Sequence, residues 1–403
     1  MIVCAGRVKI MKKDAVNATL IGAVCIISYI VSYYMRNVLS VLTPDMLETG
    51  RFTKSYIGML SSSYFVSYAV GQLINGIAGD VLSPKKMIVT GLIIAGLSSM
   101  FFPFTDVHTV HFACFVLLGF SLSMLRGPLM KVITENTSTD RARIICLFFS
   151  AAGFLGIFIA SITAAIFEWN RAFVAAGIMA FFFALFAFFM LTYLEKKNCI
   201  KKFTKGERKK IDIAGIFKIK NFLFYLGIGM LIETVTSSIN FWVPTYLTEE
   251  LLFDKVTANM VFSVMSVIRA AVPFCAFFIF KLMHERDIMI IKYAYLVSAA
   301  FYLLMLLPLG RWINIGFFLL SGMFSQISAS MMWSIYIPGL GKTGKVSGAN
   351  GILDCAGYVG AALSNMVFSS LMGVISWNGI ILLWAALMMV GCIAAFIKEK
   401  RPD

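Results

Sequence analysis

The chain has 403 residues, of which 60% are hydrophobic and only 14% charged, and its mean hydropathy is +0.86. A soluble chain carries about a quarter charged residues, so the composition excludes a soluble enzyme or binding domain and indicates a polytopic membrane protein. The net charge of +15 does not point to nucleic acid, because the basic residues sit in short loops between apolar spans.

Apolar runs of the ~20 residues that a helix needs to cross ~30 Å of hydrocarbon occupy 15–42, 56–79, 86–104, 109–133, 143–167 and 171–194. The first follows Arg7, Lys9, Lys12 and Lys13, a start similar to a signal peptide. It is too long for a cleaved apolar core and more spans follow it, so it reads as a retained helix. A second set occupies 221–248, 256–283, 287–308, 312–337, 346–373 and 377–397. The two sets imply an all-α membrane protein with twelve transmembrane helices in two six-helix bundles, 1–194 and 221–403. A linker at 195–220 with ten basic residues joins them. It reads as a solvated cytoplasmic connector held near anionic lipid.

Loop by loop, 27 Lys and Arg residues fall on one side of the spans and five on the other. That bias places the basic side, and both termini, in the cytoplasm. The eight cysteines show no metal-ligand spacing such as C-x-x-C, so free thiols are expected, with neither a disulfide framework nor a metal site.

The halves echo each other. Ala152-Gly153-Phe-Leu-Gly156 in span five matches Ala356-Gly357-Tyr-Val-Gly360 in span eleven, an offset of 204. Trp169-Asn170 matches Trp377-Asn378 at 208, and Pro44 matches Pro244 at 200. Three matches at nearly constant offset indicate duplication of a six-helix unit. Parallel repeats of this kind place a solute site near mid-membrane.

Between spans two and three lies Gly76-Ile-Ala-Gly79-Asp80-Val-Leu-Ser-Pro-Lys85-Lys86. It resembles the G-x-x-x-D-x-x-x-x-[K/R]-[K/R] signature of the major facilitator superfamily. With the twelve spans and the basic central linker, the resemblance covers the whole chain. It implies that Asp80, with Gly76, Lys85 and Lys86, holds the cytoplasmic side closed by contact with the start of span eleven. A helix N-terminus near Val346–Ser347 would attract the Asp80 carboxylate. The alternative is that Asp80, Lys85 and Lys86 only cap helices and anchor topology. The corresponding loop of the second half, Lys281-Leu-Met-His-Glu-Arg286, keeps charge but has lost the pattern.

Away from the span ends, five charges lie inside spans: Arg36, Arg126, Glu233, Arg269 and Asp354. An intramembrane Arg costs at least ~2.5–3.5 kcal/mol at the helix centre and marks either an anion site or a buried acidic partner. Three cations against two anions leave one Arg for an anion if each acid pairs. An acid that is protonated instead becomes a candidate proton carrier. Arg36 and Arg269 lie well inside their spans, whereas Arg126 is near enough to the cytoplasmic end to snorkel. Tyr34 and Tyr358 are candidates to line the cavity. Trp169, Trp312 and Trp377 read as interfacial anchors. No nucleophile–base pair or nucleotide motif is present, so no enzyme activity is expected, and no cofactor.

Tyr33-Tyr34-x-Arg36-Asn37 also resembles the Y-Y-x-x-R-K segment of the organophosphate:phosphate antiporters, and Trp242-Val-Pro244-Thr-Tyr246-Leu resembles their W-x-P-T-Y-L. In that branch one Arg from span one and one from span seven clamp the phosphate. The first maps to Arg36 and the second to Thr236, so the second cation is missing. The Lys after the first Arg is Asn37, and a span-five His falls at Ala152. Arg269 or Arg126 could supply the second charge, while a single Arg suits a carboxylate as well as a phosphate.

The resemblance therefore implies a secondary active transporter of a small organic anion working by alternating access, with organophosphate/phosphate antiport as its leading form. Arg36, Arg269, Arg126, Tyr34 and Tyr358 are the substrate candidates, and Glu233 and Asp354 the coupling or pairing ones. The alternatives are a proton-coupled carboxylate or other small-solute symporter, and a transporter-like membrane sensor of a phosphorylated sugar. The expected partners are the anionic solute and the bilayer, without nucleic acid. The protein is expected in the plasma (inner) membrane, functional as a monomer.

Overall fold

The computed structural model describes residues 2–202, 212–371 and 375–400, without the side chains of residues 2–15 and of scattered helix positions. The side chains of Arg7, Lys9, Lys12, Lys13, Lys54 and Lys255, of Cys4 and of the Pro44–Pro244 pair thus lie outside the described residues, as do the linker's centre at 203–211 and Arg401.

The elements in order are α1 (Ile2–Glu48), α2 (Lys54–Val81), α3 (Pro84–Phe101), α4 (His108–Asn136), α5 (Thr139–Ile166) and α6 (Trp169–Lys196). A one-turn α7 (Ile213–Phe217) follows in the linker. Then come α8 (Phe222–Glu249), α9 (Lys255–Leu282), α10 (Asp287–Leu304), α11 (Arg311–Ser330), the short α12 (Ile337–Gly339), α13 (Val346–Leu371) and α14 (Trp377–Lys400). Twelve of these helices have 18 residues or more. Among the described residues, nine stretches are long and apolar enough to cross a membrane by length and composition.

Local chemistry sets the helix starts. Thr53 caps α2 by accepting from the Tyr56 N–H, and Asp254 caps α9 by accepting from the Thr257 N–H. Pro84 opens α3, where its missing N–H removes nothing the helix needs. Gly310, at φ +94°, takes the left-handed turn into α11 that a side chain would disfavour. Span ten, expected as one run over 312–337, is one continuous helical stretch over Arg311–Thr343 whose winding changes along its length. A π-helical turn (Met331–Tyr336) follows α11, then α12 and a 3-10 turn (Leu340–Thr343).

Contacts divide the chain into two units, Met1–Ile216 with Ile337–Ile352, and Phe217–Tyr336 with Leu353–Asp403. In the first, α1 packs on α5 and α6, α2 on α4, and α3 on α4 and α6. In the second, α8 packs on α14, α9 on α11, and α10 on α11 and α14. The neighbour pattern is therefore repeated, with α8, α9, α10, α11, α13 and α14 standing for α1 to α6 in order.

The repeat extends to single atoms. A Cβ built on Gly156 of α5 would lie 2.8 Å from the Ile30 carbonyl oxygen of α1, and one on Gly360 of α13 would lie 2.5 Å from that of Met230 of α8. Gly153 makes room for the Tyr33 ring, and Gly357 for the Glu233 side chain. Ile30 to Met230 and Tyr33 to Glu233 are both offsets of 200, while the glycines are 204 apart. Small residues let these backbones approach, as membrane helices need where water gives no hydrophobic drive. Buried hydroxyls add links between helices. Ser99 donates to the Phe173 carbonyl at 2.8 Å, Ser298 to that of Ser321 at 2.9 Å, and the Trp384 indole to Ser238 at 2.9 Å. Such bonds contribute roughly 0.6 kcal/mol each in a membrane.

Candidate functional site

Within the first unit, the signature loop meets the first turns of α13. The Ser347 and Gly348 N–H groups donate to Asp80 Oδ1 and Oδ2, each at 2.9 Å. These N–H groups have no partner inside their own helix, and the helix dipole favours an anion there. The two bonds are charge-assisted, roughly 1.5–3 kcal/mol each.

The approach that permits them runs through glycines. A Cβ on Gly76 would lie 2.6 Å from Gly351 Cα and 3.0 Å from the Ser347 carbonyl oxygen, so α2 and α13 touch backbone to backbone. Cβ atoms on Gly79 and on Gly127 of α4 would collide with the Ser347 side chain.

Lys131 completes this cluster, and nothing in the sequence separates it from the other basic residues on the same side of the spans. It is buried in α4, 8% exposed, and donates to the Gly79 and Asp80 carbonyls at 2.8 Å each. Its ammonium thus caps the C-terminal end of α2 and lies near the Asp80 carboxylate.

Lys85 and Lys86 do not join the cluster. Lys85 forms an ion pair with Glu195 of α6 and donates to Thr192 at 3.4 Å, bracing α3 against α6, while Lys86 is exposed. Of the four gating residues expected from the signature, the structure brings Gly76 and Asp80 to α13 and turns the two lysines elsewhere.

Further along the same unit, Arg36 lies half-buried on α1 among aromatic rings. Its guanidinium carbon is 5.5 Å from the Tyr33 ring centre, 5.1 Å from that of Phe65 and 5.5 Å from that of Tyr68. Cation–π contact of this kind stabilises a guanidinium by about 0.5–2 kcal/mol according to its desolvation. Tyr34, next to Tyr33, is fully buried.

One face of α2 connects the two clusters. Tyr64, Tyr68, Gln72, Gly76 and Asp80 recur every fourth residue and so align along the helix. Gln72 is fully buried, neither end of its amide has a partner among the described residues, and its backbone carbonyl faces Gly351. The Tyr64 hydroxyl is likewise buried and without a partner among the described residues. The i, i+4 alignment was present in the sequence, but Tyr64, Tyr68 and Gln72 carry no charge and give no signal above the aromatic background of the span.

Arg126 is half-buried on α4, two residues before Pro128 in the helix, and its charge acts on the buried Cys146 thiol of α5. In the second unit, Arg269 of α9 faces α10 and α11. A Cβ on Gly322 would lie 3.7 Å from its Cδ and Nε, and the Tyr302 hydroxyl is an electrostatic neighbour. Glu233 instead lies over Gly357 of α13. Asp354 is 3% exposed, one turn before Gly357, and Tyr358 is half-buried beside it in sequence. Arg269 and the two acids all belong to the second unit. Among the described residues no cluster of His, Cys, Asp and Glu could hold a metal ion.

Known proteins share this chain's sequence pattern and its fold. Residues 25–357 match the model of the Major Facilitator Superfamily. The membrane sensor protein UhpC of Escherichia coli (strain K12) is 23% identical over 253 residues, 58% of this chain and 58% of that protein. A probable hexose phosphate transport protein of Chlamydia muridarum is 30% identical over 74 residues, 18% of this chain and 16% of that protein. The match thus spans little more than half the length of the first relative and a sixth of the second. The crystal structure of FucP, a transporter of the same superfamily in the outward conformation, superposes with a TM-score of 0.74 at 13% identity, covering 95% of this chain and 99% of that one. On the strength of the match from residue 25 to 357, this multi-pass membrane protein belongs to the Major Facilitator Superfamily.

Proposed function

We propose that the chain is a secondary carrier of a small organic anion, with a phosphorylated sugar as the solute class. It works by alternating access in the plasma membrane, as a monomer with both termini cytoplasmic. The superfamily's members are not enzymes, and the chemistry required is binding and release. The observation that carries the reading is Arg36: a permanent cation inside a span, ringed by Tyr33, Phe65 and Tyr68. The rings stabilise the guanidinium inside the span, and a planar guanidinium matches the geometry of a phosphate or carboxylate. The buried amide of Gln72, one turn beyond Tyr68, suits a solute hydroxyl. The name of the Chlamydia muridarum relative supports a hexose phosphate.

Asp80 on the N-terminus of α13 serves as the cytoplasmic gate, with Lys131 fixing the end of α2 that carries it. Glu233 and Asp354 are retained as coupling or pairing groups of the second unit, and Arg126 and Arg269 as supporting charges.

A second reading, a membrane sensor of the same solute, is favoured by the name of the Escherichia coli relative. Purified protein in vesicles loaded with glucose 6-phosphate and placed in labelled phosphate separates the two. A carrier accumulates label, and protein-free vesicles do not. Glucose 6-phosphate binding without flux supports the sensor, and neither binding nor flux overturns the solute class.

A further inference from the structure

We propose that α7 of the central linker is a latch on the cytoplasmic gate, holding the N-terminus of α13 against Asp80 until the linker is released. The inference rests on the gate reading and adds a regulator to it. Three contacts within the first unit carry it. Asp212 and Lys345, the residue just before α13, form an ion pair at 2.6 Å. The other Asp212 oxygen accepts from the Gly215 N–H at 2.8 Å, which fixes the carboxylate on the turn that opens α7. Ile216 is 2% exposed, and a Cβ on Gly348 would lie 2.7 Å from its Cδ1 and 2.5 Å from Asp80 Oδ2. Gly348 therefore touches the gate carboxylate and the linker's apolar anchor at once.

The arrangement has the chemistry of a releasable contact rather than a permanent joint. The ion pair is partly solvated, with side-chain exposures of 52% for Asp212 and 29% for Lys345, so salt and neighbouring charge weaken it. One buried isoleucine on a five-residue helix supplies the apolar share. The residues just before Asp212 include Lys205, Arg208, Lys209 and Lys210. Whatever binds those charges acts on the chain next to the latch.

Hydrogen exchange of the intact protein in detergent, followed in the peptide covering Val346–Ile352, tests the proposal without a solute. Asp80→Ala is the reference, because it removes the acceptor of the Ser347 and Gly348 N–H groups directly. Asp212→Asn should raise exchange there about 2- to 5-fold, the range of an exposed ion pair. Ile216→Ala should raise it ~10-fold or more. The charge swap Asp212→Lys with Lys345→Asp should restore protection, and peptides of α3 and α6 should not change in any variant. If Asp80→Ala leaves exchange unchanged, the gate fails. If Asp80→Ala raises exchange while Asp212→Asn and Ile216→Ala leave it at the wild-type rate, the gate stands and the latch is overturned. A variant that deprotects α3 and α6 as well has lost the fold; failure of the charge swap to restore protection then also overturns the latch.

Discussion

Gly76→Ala converts the α2–α13 crossing into a direct test of the gate geometry. The added Cβ would lie 2.6 Å from Gly351 Cα, 3.0 Å from the Ser347 carbonyl oxygen and 3.2 Å from the Gly351 nitrogen. All three are backbone atoms, so no side-chain rotation can relieve the overlap. Ordinary carbon–carbon contact is ~3.5–4.0 Å, so the helices must part by about 1 Å. Asp80 is one turn along the same face, and its two bonds of 2.9 Å would stretch beyond hydrogen-bonding distance. Losing two charge-assisted bonds at roughly 1.5–3 kcal/mol each, less what water regains, leaves on the order of 2–3 kcal/mol. That is a ~30- to 150-fold shift toward the open gate. The assay is the labelling rate of a single cysteine at Ala349 by a cytoplasmic maleimide in a cysteine-free background. Ala349 is fully buried, so labelling reports opening. Gly58→Ala is the control, with nothing within 4 Å of its added Cβ among the described residues. Equal labelling rates in Gly76→Ala and Gly58→Ala would refute the reasoning.

Three further outcomes follow from the same contacts. Lys131→Met removes the donor to two carbonyls at the end of α2 and should destabilise the protein by roughly 2–4 kcal/mol, read as the midpoint of thermal unfolding in detergent; a change under ~0.5 kcal/mol would show that the cap is not needed. Gly156→Ala and Gly360→Ala should each weaken the protein by a similar ~1–3 kcal/mol, because they strike equivalent crossings, α1–α5 and α8–α13. Only Gly156→Ala, whose Cβ meets Tyr33, should also weaken anion binding in a ligand-induced thermal shift, and equal loss in both variants would count against Arg36 as the anion residue. Lys85→Ala should cost about 1–2 kcal/mol of stability through its partly buried pair with Glu195 while leaving Ala349 labelling at the wild-type rate. Faster labelling would return Lys85 to the gate.

The long helices were legible in the sequence because a bilayer forces ~20-residue apolar runs, and the six-by-six repeat because small residues at the helix crossings recur at fixed offset. The contact of Asp80 with the start of α13 could be anticipated from the helix dipole and the signature. Other features had no such handle. Lys131 looks like any other basic residue near a span end; only the fold shows it turned inward onto two carbonyls. Lys85 belongs to the signature, yet Glu195, more than 100 residues away, claims it. Helix α7 has five residues, too few for a periodic pattern, and follows a run of charge that reads as solvated chain. The change of winding at Met331–Tyr336 in span ten leaves the composition apolar throughout, so hydropathy passes over it. The ring of Tyr33, Phe65 and Tyr68 about Arg36 joins α1 to α2. One side of it was readable as Tyr33-Tyr34-x-Arg36, but the α2 side needed three-dimensional register.

The most direct test of the central claim is a thermal-shift titration of the purified protein with glucose 6-phosphate, beside inorganic phosphate and neutral glucose, in wild type and Arg36→Ala. Binding at a hundredfold excess over the dissociation constant stabilises by about 2.7 kcal/mol, a shift well within reach of the method. Wild type should be stabilised by the phosphorylated sugar and not by glucose, and Arg36→Ala by neither while that variant remains folded. Stabilisation by glucose 6-phosphate that persists undiminished in Arg36→Ala would contradict the claim.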